Sequence, residues 1–103
     1  MIHFKPLAPD FDEEYLGMIP YFLTPADPRP AREQFDENYQ HGGGWKVFKG
    51  HSMDPDGTLH YPGDPALPPL AEAKLRDETI RFYDYAWVSI TQPDGTFEVC
   101  RMD

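Results

Sequence analysis

No stretch of this chain leaves fewer structural options than Gln92-Pro93-Asp94-Gly95-Thr96. Proline at the second position sets φ for a type I turn, and glycine supplies the left-handed residue of a bulge. The flanking residues alternate, from Ala86 to Gln92 and from Thr96 to Met102. Folding back around this turn pairs Thr91 with Phe97, Ser89 with Val99 and Val88 with Cys100. Ala86, Val88, Ile90, Cys100 and Met102 then share one face, which fits a core. Trp87, Ser89, Thr91, Phe97, Val99 and Arg101 share the other. That second face is too apolar to be fully wet. Either the N-terminal segment or another subunit is expected to cover it, which makes Trp87, Phe97 and Val99 interface candidates.

Upstream, Pro68 and Pro69 lack N–H donors, which suits the first turn of a helix. Leu67, Ala71, Leu75, Thr79 and Phe82 recur at spacings of four and three, which predicts a helix over 70–83 lying on the first hairpin face. Glu72 with Arg76, and Asp77 with Arg81, would be i,i+4 pairs on its solvent side.

Asp54-Pro55-Asp56-Gly57-Thr58 repeats the Pro-Asp-Gly-Thr tetrapeptide of 93–96. Two similar turns explain this more simply than duplication. A strand from Trp45 to Met53 would return through Leu59 to Tyr61, with Met53 opposite Leu59, Ser52 opposite His60, and His51 beside Tyr61. A second helix is expected from within Pro28–Pro30 to about Gln40, its stripe of Ala31, Phe35 and Tyr39 facing inward and His41 and Gly42 closing it. Asp10 to Glu14 starts a short helix, and the apolar run from Tyr15 to Leu23, broken by Gly17 and Pro20, reads as irregular packed structure. Ile2 to Leu7 suits a short strand. The order (β)-α-α-β-β-α-β-β predicts a single α+β domain over 1–103: a four-stranded antiparallel sheet from two hairpins, with two to three helices packed largely on one face.

With 18 acidic and 9 basic residues the formal net charge is −9. Such a field repels nucleic acid and anionic membrane, so no direct nucleic-acid binding is expected. No stretch approaches the roughly 18–20 apolar residues of a membrane span, and the first residues lack a signal peptide's apolar run. Cys100 is the one cysteine, so there is no disulfide within the chain, and a reducing cytoplasmic setting is the expectation.

His41-Gly42-Gly43-Gly44-Trp45 is the sharpest chemical motif. It is similar to the HGGG oxyanion loop of hormone-sensitive-lipase-like esterases. The two serines, Ser52 and Ser89, sit in no Gly-x-Ser-x-Gly elbow, and 103 residues are too few for that fold. Three exposed glycine amides can still receive an anion or a partner's backbone. His41, Gly42, Gly43, Gly44 and Trp45, with His51 and Asp64, therefore form the ligand- or partner-binding candidates. No Cys-x-x-Cys, His-x-x-x-His or His-Glu-x-x-His pattern occurs, so no metal, no cofactor and no catalytic residue is assigned.

The segments 27–34 (Asp27-Pro28-Arg29-Pro30-Ala31-Arg32-Glu33-Gln34), 41–45, 61–65 (Tyr61-Pro62-Gly63-Asp64-Pro65) and 92–95 together resemble a family of short uncharacterised proteins carried on bacterial plasmids and integrative elements. That resemblance spans nearly the whole chain. It implies a bacterial, mobile-element context and transfers no activity.

The expected function is that of a small acidic soluble accessory protein acting through protein–protein contacts, with a protein partner or itself in a homodimer. Two alternatives follow from the same residues. One is an acidic mimic of nucleic acid that inhibits a host protein. The other is a small enzyme or ligand-binding protein built on the His41–Trp45 loop.

Overall fold

The computed structural model describes residues 2–8, 23–38, 46–63 and 65–101. Its main layer is a six-stranded antiparallel sheet, in the spatial order β1-β5-β6-β7-β8-β2. The strands are β1 (Lys5–Pro6), β2 (Lys46–Phe48), β5 (Ala71–Leu75), β6 (Glu78–Phe82), β7 (Trp87–Thr91) and β8 (Phe97–Arg101). A separate two-stranded sheet holds β3 (Ser52–Met53) and β4 (Leu59–His60). One α-helix, α1 (Ala31–Asn38), lies among the described residues.

This overturns the expected four-stranded sheet with two to three helices. The error sits at 70–83, where the chain forms the β5–β6 hairpin rather than a helix. Ala71, Ala73 and Leu75 alternate with Glu72 and Lys74, and Ile80 and Phe82 with Thr79 and Arg81; that period of two fits a strand on each side of a turn. Ala, Glu, Lys, Leu and Arg favour helix locally, but pairing with a neighbouring strand on either side of the hairpin decides the outcome. The turn itself is Arg76-Asp77, with Arg76 in the left-handed region at φ 54°. The Arg76 guanidinium donates to the carbonyls of Pro25, Asp27 and Arg29, tying this turn to the proline-rich segment before α1. The expected i,i+4 pairs are replaced by one cross-strand pair: Arg81 Nε meets Glu72 Oε2 at 3.0 Å, on directly opposed residues.

The two glycine turns set register as the sequence predicts. Thr91 opposes Phe97, Ser89 opposes Val99 and Val88 opposes Cys100. Met53 opposes Leu59 and Ser52 opposes His60. In both turns the residue before proline closes on the threonine backbone, and the aspartate accepts from the threonine amide, Thr58 N to Asp56 Oδ1 at 2.9 Å and Thr96 N to Asp94 Oδ1 at 3.0 Å.

Each face of the large sheet buries a cluster. On one, Ala31 and Phe35 of α1 pack with Ala71, Leu75, Ile80, Phe82, Val88, Ile90 and Cys100. At about 1.5–3 kcal/mol per fully buried large side chain, this cluster is the main stabilising layer. Buried Glu78 anchors the helix start: its Oε1 accepts the Ala31 amide at 2.8 Å and its Oε2 accepts from Gln92 Nε2 at 2.8 Å. A carboxylate suits that end of a helix, where amides lack partners and the dipole is positive. Gln34, also buried, accepts the Thr24 amide and donates to the Arg29 carbonyl, fixing the entry loop.

The opposite face is covered by the chain's own β3–β4 hairpin. Leu59 packs on Tyr83 and Val99, with Met53, Trp87 and Phe97 around them. Buried Tyr83 donates its hydroxyl proton to the Gly57 carbonyl at 2.7 Å and lies 3.0 Å from Ser89 Oγ. The apolar hairpin face thus receives an internal cover that differs from the two proposed in the sequence reading. The expected short helix at 10–14, the run 15–22 and the end of the second helix lie outside the described residues.

Candidate binding cleft

The β3–β4 hairpin does not cover the sheet to its edge. β2 is an edge strand, and Phe48 opposes Val99 as its last paired residue. Residues 49–51 then leave the sheet to start the hairpin, while β8 continues through Glu98 and Phe97 toward its turn. A cleft opens where the two layers part.

Its walls are aromatic, and register places them. Trp87 opposes Arg101 across β7–β8, and Phe48 reaches the same face from β2. Phe48 and Trp87 meet edge to face, with centroids 4.9 Å apart at 81°. His51 lies 5.1 Å from the Trp87 ring and 5.0 Å from Tyr61. The Arg101 guanidinium carbon stands 5.5 Å from the centre of the Trp87 ring, a cation–π distance. Gly50 makes the corner possible. Its φ is +97°, and a β-carbon there would stand 2.7 Å from Tyr61 Cε2.

Phe48, Lys49, His51, Tyr61 and Trp87 enclose a pocket of about 190 Å³. It continues into a groove of about 540 Å³ between residues 47–51 and 95–99. Phe48 and Tyr61 remain 38% and 42% exposed, which is high for aromatic side chains in contact with other rings.

Of the residues singled out from sequence, His51 and Trp87 meet in this pocket, and Phe97 and Val99 line the groove beside it. Val99 is buried beneath Leu59, whereas Trp87 and Phe97 are half-buried. His41, Gly42, Gly43, Gly44, Trp45 and Asp64 lie outside the described residues. Phe48, Lys49 and Tyr61 are not among the site candidates that the sequence supplies. The signal for Tyr61 was the hairpin register that sets it beside His51; for Phe48 and Lys49 nothing in the sequence tells that β2 pairs with β8.

Among the described residues the groups with chemical potential elsewhere do not assemble. His60 Nε2 lies 2.7 Å from Asp54 Oδ2 on the exposed hairpin, and Ser52 sits opposite His60, yet no hydrogen bond joins Ser52 to that ring. A nucleophile needs its base within hydrogen-bond reach. Among the described residues no three of His, Cys, Asp and Glu lie close enough to hold a metal ion. No described helix is long and apolar enough to cross a membrane. Comparison with protein-family models, with curated proteins and with solved structures finds no match to this chain.

Proposed function

We propose that this protein is a non-enzymatic binding protein that acts through protein–protein contacts, and that its contact face is the cleft between β2, β8 and the β3–β4 hairpin. The observation that carries this reading is the open aromatic cluster of Phe48, His51, Tyr61 and Trp87, continuous with a groove along the sheet edge. Burying rings at such exposure supplies the apolar anchor that interfaces concentrate at their centre. The strongly acidic remainder sets the approach of a partner, and its arginines are largely engaged at home: Arg29 with Asp27 and Glu37, Arg32 with Asp36 and Glu98, Arg81 with Glu72.

The test is capture from nuclease-treated lysate of the native host, with the wild-type protein and with the Phe48→Ala/Tyr61→Ala double variant side by side. The reading requires a stoichiometric partner on the wild type that the variant loses while keeping its fold by circular dichroism. Equal capture by both proteins overturns it.

A further inference from the structure

Resting on that contact face, we infer that the segment it receives is an extended peptide strand that adds to β8 beside Phe97 and Glu98, seating an aromatic side chain in the pocket and, two residues along and so on the same face, a carboxylate on Lys49. Three observations carry this. First, β8 extends two residues past Phe48↔Val99, and among the described residues no strand pairs with Phe97 or Glu98 on that side. A sheet edge with free ladder positions is a template for another strand. The groove follows this gap, walled by 47–51 on one side and 95–99 on the other.

Second, side chains of an added strand alternate between the two faces of the sheet. Those sharing the face of Phe97 and Val99 point toward Phe48 and Trp87, whose pocket of about 190 Å³ has room for one ring. Third, the charge at the pocket has the opposite sign to the whole chain. Lys49 is the one permanently charged residue among those lining it, and it is exposed. The acid on the groove wall, Glu98, is engaged by Arg32. At physiological salt, charges farther away than about 8 Å are largely screened, so the local ammonium outweighs the distant carboxylates.

The probe is a blocked tetrapeptide, valine-phenylalanine-valine-glutamate, with the ring and the carboxylate two residues apart, titrated into the full chain and followed by amide and indole chemical shifts. The inference expects saturable shifts at Phe97, Glu98 and the Trp87 indole. Replacing glutamate by glutamine is expected to weaken binding roughly 3- to 10-fold, as loss of a charge-assisted contact does. Lys49→Met is expected to weaken the glutamate peptide by the same factor and leave the glutamine peptide unchanged. N-methylation of the phenylalanine amide is expected to abolish the shifts at Phe97 and Glu98, because it removes a ladder donor. Indifference to N-methylation, equal binding of the two peptides to wild type, or no saturable shift overturns the inference. Such a failure leaves the contact face itself to the capture experiment, which uses none of these probes.

Discussion

Tyr83 shows how one polar atom fixes the relation between two layers. Burial pushes its hydroxyl up to about 12 from an ordinary value of 10.0. The neutral group donates to Gly57 and meets Ser89, so both partners depend on it. Tyr83→Phe strands the Gly57 carbonyl and is expected to cost about 1–2 kcal/mol in urea unfolding at neutral pH. The pH dependence has a definite sign. The folded pKa lies above the unfolded one, so the contribution of Tyr83 is complete below pH 10 and is lost as pH rises toward 12. The stability gap between wild type and Tyr83→Phe is therefore expected to narrow over that interval, with the other tyrosines cancelling in the difference. At acid pH the direction reverses. Hydrogen bonds from Arg29 hold Asp27 down at about 2, and bonds from Thr58 and Thr96 hold Asp56 and Asp94 below the usual range. These contributions are present above pH 4 and fade as pH falls.

Among the elements, the β5–β6 hairpin separates what the sequence states from what only the fold supplies. The registers of β7–β8 and β3–β4 were legible because Pro-Asp-Gly-Thr is turn chemistry that survives in any context. Leu75-Arg76-Asp77-Glu78 has no glycine, proline or asparagine, so its turn leaves no local signature. The same residues satisfy a spacing of four and an alternation of two, and strong helix formers fill the first arm, Ala71–Leu75. What tips the balance is β1 on one side and β7 on the other, which no local pattern announces. The cleft divides in the same way: His51 beside Tyr61 follows from a hairpin register, whereas Phe48 against Trp87 needs the long-range β2–β8 pairing. The corrected element makes its own prediction. At φ 54° a β-carbon is unfavourable, so Arg76→Gly is expected to be about 1 kcal/mol less destabilising than Arg76→Ala, both having lost the guanidinium contacts. A helix over 70–83 would reverse that order by a similar amount. Chemical denaturation of the two variants checks it.

At the scale of the whole molecule, a central sheet carries α1 on one face and a small hairpin on the other, and the incomplete reach of that hairpin creates the cleft. The repeated turns weigh differently in this architecture. Gly57 and Gly95 have nearly the same φ, +93° and +92°. A β-carbon at Gly95 meets open space, but at Gly57 it would stand 2.7 Å from Arg81 Nε. Gly95→Ala is expected to cost about 1 kcal/mol from backbone strain alone, and Gly57→Ala more than that, because the Arg81 side chain must also give up its place beside Glu72. Equal losses would mean that Arg81 is not held between the Gly57 turn and Glu72. The claim on which the functional account turns is the position of the contact face. Backbone hydrogen exchange of the full chain, alone and with its captured partner, addresses it directly. The account requires slowed exchange in residues 47–51 and 95–99. Slowing confined to α1 or the β1 edge, with 47–51 and 95–99 unchanged, would contradict it.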